Sequence, residues 1–150
     1  EMRLVTGVQT CALPICAYKF KGEPKLDFER LILITKKLEE AGFHNFPIVL
    51  HGASAVDQDY VTMINEFGGE MKGAKGIPLE MLRKAASMSV CKINMDTDLR
   101  LAMTGSIRKV LTKNLGEIDP RKYLGEARTN ITKLVEGKIT NVLGSSNSSK

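Results

Sequence analysis

The stretch that decides the fold is Pro47-Ile-Val-Leu-His-Gly-Ala-Ser54, a short apolar run that ends abruptly in polar residues. Alternate side chains of a β-strand share a face, so Val49 and His51 are predicted to point the same way. Ile48 and Leu50 then lie on the opposite face. We therefore expect a buried strand that carries a histidine at its carboxyl end.

A second segment, Cys91-Lys-Ile-Asn-Met-Asp-Thr-Asp-Leu-Arg100, repeats this design some forty residues later. Asn94 and Asp96 are predicted to share one face of a strand. Cys91, Ile93 and Met95 are predicted to pack against helices on the other face. Both strands are thus predicted to be buried on two faces, as in parallel sheets that are covered by helices.

The segments between and around these strands follow a helical period of apolar residues. Helices are predicted over 27–41, 57–67, 78–88 and 97–114 and from 119 towards 142, with strands over 47–51 and 90–96. Asp27 and Asp119 stand at N-cap positions, and Gly42 is placed to end the first helix. Helices that alternate with strands, without hairpin turns, predict a parallel α/β arrangement. Two strands are too few for a stable sheet, so we expect the end of a larger domain.

The bulk properties exclude several classes of protein. The chain has 150 residues, 43% of them hydrophobic and 26% charged, which is ordinary for a globular protein. The net charge of +5 is scattered among acidic residues, which argues against nucleic-acid binding but leaves room for a small phosphorylated ligand. Three cysteines form no disulfide framework, and no stretch approaches the roughly 20 apolar residues of a membrane span. We expect a soluble, cytoplasmic protein with no membrane partner.

Two loops predict a phosphate site. Gly52 and Ser54 follow the first strand and offer backbone N–H groups and a hydroxyl. Asp96 and Thr97 open a helix whose free N–H groups attract anions, and Arg100 lies in its first turn as a bidentate donor. Plain helix capping explains Asp96 and Thr97 equally well when each is taken alone. The coincidence of two such loops favours function, since phosphate sites recur after the last two strands of eight-stranded β/α barrels.

A metal site is less firmly indicated by the residues themselves. His51 is placed to be a ligand, but a catalytic metal typically takes three protein ligands. His44 lies before the first strand and therefore at its opposite end. Taken alone, His51 is more often a structural histidine. A zinc site from Cys11, Cys16 and Cys91 is disfavoured because the residues between the first two form no knuckle turn.

Four segments together resemble the class II fructose-1,6-bisphosphate aldolases, in particular the type B branch that includes tagatose-bisphosphate aldolases. They are His51-Gly-Ala-Ser54, Lys75-Gly-Ile-Pro78, Lys92-Ile-Asn-Met-Asp-Thr-Asp-Leu-Arg100 and Asp119-Pro-Arg121. The similarity runs from residue 17 to residue 148, and the combination is highly specific. It implies the carboxy-terminal part of a (β/α)8 TIM barrel, incomplete here, with the last two strands and their helices.

The resemblance also implies site residues and cofactors. His51 resembles the last of three zinc-binding histidines, and Asn94 resembles the catalytic residue that contacts the enediolate. Substrate and phosphate binding is implied for Lys19, Gly52, Ser54, Asn94, Asp96, Thr97, Arg100 and Arg121. Arg121 resembles an arginine that reaches the distal phosphate of a neighbouring subunit, which implies a homo-oligomer. The implied cofactor is Zn²⁺, with room for a monovalent cation near the phosphate.

The sequence departs from the family before residue 17. There the family has Gly-Thr-Ser-His-Gly, whose histidine is a second zinc ligand, whereas this chain has Leu13-Pro-Ile-Cys16. The remaining zinc histidine and the proton-moving aspartate belong to a His-x-Asp-His segment of the family's amino-terminal half. We therefore expect an artefactual leader over 1–16, although a genuine strand is the alternative. A partial barrel domain over 17–144 and a polar tail over 145–150 are expected to follow.

The resulting hypothesis is a fragment of a zinc-dependent ketose-bisphosphate aldolase that is inactive alone. In the family the reaction reversibly cleaves fructose 1,6-bisphosphate to dihydroxyacetone phosphate and glyceraldehyde 3-phosphate. The alternative is a non-catalytic module that binds a small phosphorylated molecule through the same two loops.

Overall fold

Helices and parallel strands alternate along the chain in the computed structural model, which describes residues 24–148. In order, the elements are α1 (Phe28–Glu40), β1 (Ile48–Leu50), α2 (Gln58–Glu66), α3 (Leu79–Ala86), β2 (Val90–Ile93), α4 (Thr97–Lys113), α5 (Pro120–Gly137) and a π-helix (Lys138–Leu143). The predicted α/β class is confirmed. The closed (β/α)8 barrel stays a prediction.

Aspartates begin three of the helices, and two of these N-caps, Asp27 and Asp119, are predicted from the sequence. The carboxylate of Asp27 accepts a hydrogen bond from the Arg30 N–H at 2.9 Å, and Asp57 accepts one from Asp59 N at 3.0 Å. Asp119 accepts one from Arg121 N at 2.9 Å. Such caps satisfy N–H groups that have no partner within the helix.

The two strands form a parallel sheet with one irregularity. Ile48 pairs with Val90, whereas Val49 pairs with Lys92, so Cys91 is an extra residue opposite one step of β1. An extra residue of this kind is left unpaired and turns the strand locally. It explains why Cys91 is exposed although the alternation predicts it to be packed.

The predicted burial of both strands on two faces is wrong for the described residues. Leu50 and Ile93 pack on a buried cluster, but Val49 is 39% exposed and Lys92 is also exposed. Within residues 24–148 the helices cover one face of this two-stranded sheet. The face that carries Val49 is therefore left accessible to solvent.

Two small cores meet at the loop between β1 and α2, residues 51–57, which we call the β1–α2 loop. One core contains Val56, Val61, Ile64, Ala74 and Leu101, and the other contains Ala53, Ile77, Leu82 and Val142. Ala53 and Val56 thus anchor the same loop in two different cores. This double anchoring fixes the loop where the site residues lie.

Between residues 24 and 148, no helix combines the length and apolarity that a membrane crossing requires.

Candidate functional site

His51 and Asn94 meet at the carboxyl ends of the two paired strands. The distance from Asn94 Nδ2 to His51 Nδ1 is 2.8 Å, and the contact is exposed. Backbone bonds hold the two strand ends in register, since Asn94 N donates to Leu50 O at 2.8 Å and Ala53 N donates to Asn94 O at 3.2 Å. The parallel pairing of β1 with β2 thus brings the two polar side chains to the same edge of the sheet.

The imidazole can bind a metal only through an unprotonated nitrogen. When the Asn94 amide donates to Nδ1, the neutral ring carries its proton on Nε2. Rotating the amide by half a turn lets its oxygen accept from Nδ1–H, and the Nε2 lone pair becomes free for a metal. Asn94 is therefore suited to set the tautomer of a histidine ligand, as hydrogen-bond partners of metal-bound histidines commonly do.

The described residues do not complete a metal site. No group of three or more His, Cys, Asp or Glu side chains lies close enough to hold an ion in the part of the chain that the structure describes. An exposed imidazole fits one position of the three that a catalytic zinc site requires. His51 is accordingly a candidate ligand, while residues 24–148 alone do not account for a bound zinc.

Ser54 links the β1–α2 loop to the start of α4. Its Oγ accepts a hydrogen bond from the Thr97 N–H at 3.1 Å. Gly52 has a φ of +60°, a left-handed conformation in which glycine is unstrained. The two loops predicted to grip phosphate are therefore adjacent. The Thr97 N–H was predicted to be available to an anion, but it donates to the Ser54 hydroxyl oxygen instead. The Ser54 hydroxyl can still donate its own proton to a ligand.

Arg100 is bound to Asp96 rather than left free in the first turn of α4. Arg100 Nε lies 3.0 Å from Asp96 Oδ1 and Nη2 lies 2.8 Å from Oδ2, and both side chains are 71% exposed. Asp96 stands at the N-cap position but makes no side-chain capping bond. The capping alternative is thus wrong for the Asp96 side chain. A ligand phosphate would compete with Asp96 for the same guanidinium fork.

Arg121 makes a similar pair at the start of α5. Its guanidinium contacts both carboxylate oxygens of Asp119, with Nη2 2.8 Å from Oδ2, and its side chain is 90% exposed. The hydrogen bonds from Arg121 lower the pKa of Asp119 below its usual value, and the same contact raises the pKa of Arg121. Within residues 24–148, no hydrogen bond or ion pair links Arg121 to His51 or Asn94. Lys19, the remaining predicted phosphate ligand, lies outside the described residues.

Sequence reasoning missed a buried ion pair directly behind the site. Asp98 has no exposed surface, and its Oδ2 lies 2.8 Å from Lys138 Nζ in the π-helix. The same carboxylate accepts hydrogen bonds from the backbone N–H groups of Ala55 at 3.1 Å and Val56 at 2.7 Å. Forty positions separate the two charges in the sequence, so no local pattern indicates that they pair. The only local signal is a second acid in Asp96-Thr-Asp98.

Gly76 passes so close to the β1–α2 loop that no side chain fits. A Cβ at this position would overlap the backbone of Ala55 and the carbonyl oxygen of Ser54. The neighbouring Ile77 N–H donates to that same Ser54 oxygen at 3.0 Å. The motif Lys75-Gly-Ile-Pro78 therefore supports the loop by close backbone approach, which is a use that only glycine serves.

Comparison with known proteins identifies a family. The sequence profile described as "Fructose-bisphosphate aldolase class-II" matches residues 6–148. A fructose-bisphosphate aldolase of Treponema pallidum (strain Nichols) is 51% identical over 122 residues, which are 81% of this chain and 35% of that protein. The relative from Thermus caldophilus is 47% identical over 82% of this chain and 38% of its own length. A Giardia intestinalis relative is 42% identical over 90% of this chain and 42% of its own.

The chain spans less than half the length of these curated relatives. The matched region includes both strand ends and both loops described above, together with the Gly76 and Lys138 supports. The motif resemblance and the profile agree, and the chain belongs to the class II fructose-bisphosphate aldolase family.

Proposed function

We propose that this chain supplies the carboxy-terminal part of a ketose-bisphosphate aldolase site. The reaction is the reversible cleavage of fructose 1,6-bisphosphate to dihydroxyacetone phosphate and glyceraldehyde 3-phosphate. The observation that carries the proposal is the 2.8 Å contact between His51 and Asn94 at the ends of adjacent parallel strands. In open and closed α/β sheets, ligands bind at this end of the strands.

Asn94 is proposed to act on the reacting atoms. Removing a proton next to a ketone leaves negative charge on an enediolate oxygen, and a fixed amide N–H stabilises that charge. The strand end holds Asn94 in place through its backbone bonds to Leu50 and Ala53. A zinc ion bound by His51 and by ligands outside the described residues would supply Lewis-acid polarisation of the ketone.

Gly52 and Ser54 are proposed to hold the phosphate of the dihydroxyacetone phosphate half, and Asp96, Thr97 and Arg100 are proposed to bind the rest of the sugar bisphosphate. Gly52 and the Ser54 hydroxyl face the same region as the start of α4, because Ser54 bonds to Thr97 N. Arg100 can exchange Asp96 for a phosphate oxygen without breaking a buried contact, since both side chains are largely exposed. Lys19 is proposed to bind the same phosphate as Gly52 and Ser54.

Several finer features belong to the same proposal. The parallel pair β1–β2 is proposed to be the end of a (β/α)8 barrel, and the cytoplasm is the proposed location. Arg121 is proposed to reach the site of a neighbouring subunit in a homo-oligomer. Its exposed guanidinium supports this assignment, because an arginine that serves another subunit must project from its own.

The reaction is tested by comparing the chain alone with the chain joined to the rest of an aldolase. We expect negligible cleavage of fructose 1,6-bisphosphate by the 150 residues with added zinc, because residues 24–148 supply one metal ligand. Replacing residues 1–16 by the part of the Treponema pallidum relative that precedes the position matching Ala17 is expected to restore zinc-dependent cleavage, because the replacement supplies the missing zinc ligands. Robust turnover by the chain alone, or an inactive but folded fusion, would contradict the proposal.

A further inference from the structure

We propose that Lys138 is a positioning residue for the β1–α2 loop, acting through the buried carboxylate of Asp98. The effect of Lys138 on phosphate binding rests on the proposed function, whereas its effect on the loop does not. The inference assigns a role to the π-helix, the element of the described chain that lies farthest along the sequence from the β1–α2 loop.

The β1–α2 loop has a strained backbone conformation at Val56. The φ of Val56 is +54°, in the left-handed region that β-branched residues rarely occupy. Such a conformation persists only where the surroundings impose it. Val56 is 3% exposed, and its N–H donates to Asp98 Oδ1 at 2.7 Å. The Asp98 carboxylate is therefore part of what imposes the backbone turn.

The carboxylate can play this role only if its charge is balanced. Asp98 is fully buried, and an unpaired buried carboxylate is strongly unfavourable. Lys138 Nζ at 2.8 Å provides the balancing charge, and its side chain is only 9% exposed. Ala55 N and Val56 N are then fixed by a charged acceptor, which makes stronger hydrogen bonds than a neutral one.

The π-helix places Lys138 at this point. The chain leaves α5 at Gly137 and continues with wider turns over Lys138–Leu143, which anchor Val142 in the core that also contains Ala53. Single-turn π segments within helices are frequent at functional sites. Ser54 lies between the two anchored residues of the loop, so the pair also fixes the hydroxyl that meets the start of α4.

Lys138→Met is the test variant, because it keeps the length of the side chain and removes its charge. We expect the amide hydrogen-exchange rates of Ala55 and Val56, measured by NMR, to rise at least about tenfold in this variant. The exchange rate of the Leu101 amide is expected to stay unchanged. Lys109→Met removes the same charge from a partly exposed pair with Glu126 at 2.6 Å. Ser106→Ala removes a partly buried contact between α4 and α5, in which Asn130 Nδ2 donates to Ser106 Oγ at 2.8 Å.

Neither control is expected to speed exchange at Ala55 and Val56 selectively. Equal exchange rates in the Lys138→Met variant and the unmodified chain would overturn the inference, as would an equal effect of Ser106→Ala. If Lys138→Met unfolds the whole chain, Lys138→Gln keeps a donor without the charge, and the same two outcomes are then decisive.

A titration with inorganic phosphate separates this inference from the proposed function. We expect Lys138→Met to weaken phosphate binding about tenfold and Lys109→Met less than twofold. Unchanged phosphate affinity in Lys138→Met, despite faster exchange, would overturn the link between the pair and the ligand. Failure of the unmodified chain to bind phosphate at all would instead overturn the phosphate-binding role proposed for its two loops.

Discussion

The imidazole of His51 and the carboxamide of Asn94 lie 2.8 Å apart, although 43 positions separate them in the sequence. Neither group is needed to fill the core, since the contact is exposed and the apolar neighbours Leu50 and Ile93 pack on the other face. A polar pair that projects from strand ends without supporting the core is available for a ligand. This relationship separates the chemistry of the site from the stability of the fold.

Replacing His51 is therefore expected to leave stability almost unchanged. His51→Ala should alter the free energy of unfolding by less than about 0.5 kcal/mol, as exposed substitutions usually do. Leu50→Ala, one residue earlier and packed on the core, should cost about 1–3 kcal/mol because apolar contacts are lost. Urea denaturation of both variants measures the difference. A loss for His51→Ala as large as that for Leu50→Ala would mean that the histidine is structural.

Gly76 is expected to be the least replaceable glycine near the site. Gly76→Ala forces its methyl group into the backbone of Ala55 and Ser54, and we expect a loss of about 2–4 kcal/mol. Gly125→Ala is the matched control, because it lies within α5 with nothing within 4 Å of the added carbon. It should stabilise the chain by about 0.5–1 kcal/mol through better helix propensity. Thermal or urea unfolding decides, and a neutral Gly76→Ala would refute the close approach.

Arg100 is expected to matter for phosphate and not for folding. Its pair with Asp96 is 71% exposed on both sides, so Arg100→Lys should change the free energy of unfolding by less than about 1 kcal/mol. Lysine keeps the charge but loses the planar fork, and we expect phosphate affinity to fall about tenfold. Calorimetric titration with inorganic phosphate measures it, with Arg128→Lys on α5 as the control. Equal affinity in both variants would remove Arg100 from the proposed phosphate site.

Asp119 is expected to titrate below its usual pKa of 3.8, because Arg121 donates hydrogen bonds to its ionised carboxylate. The stabilisation that this contact gives the start of α5 is present above that usual pKa. It is lost as the pH falls through the lowered pKa of the folded chain. NMR titration of the Asp119 carboxyl carbon measures the midpoint, and Arg121→Met should move it upwards. A midpoint at or above 3.8 in the unmodified chain would contradict the pairing.

The helices and the parallel order could be predicted because their signals are local. Asp27, Asp57 and Asp119 each accept the backbone bond expected of an N-cap, and Gly42 adopts a φ of +85° just after α1. Side-chain alternation also placed Leu50 and His51 on opposite faces. The meeting of His51 with Asn94 follows from one topological rule, that parallel strands end at the same edge of a sheet.

The remaining features depend on contacts between distant residues and could not be predicted from local patterns. Arg100 was expected to be free for phosphate, but Asp96 lies within reach and pairs with it. The ion pair of Lys138 with Asp98 joins the π-helix to the first turn of α4 across forty positions, so no local pattern indicates it. The exposed Val49 likewise reflects which helices cover the sheet, a property of tertiary packing that strand alternation does not contain.

The cleavage rate of the fused protein, measured with zinc and fructose 1,6-bisphosphate, tests the central claim most directly. Asn94→Ala is expected to lower kcat by about 10²–10³-fold, since it removes a donor to the developing oxyanion. His51→Ala is expected to reduce the cleavage rate with zinc to the rate without zinc. Asn114→Ala and His44→Ala lie away from the strand ends, and their cleavage rates should stay within about twofold of the unmodified protein. Cleavage that survives the loss of both His51 and Asn94 would contradict the assignment of the site to these two strand ends.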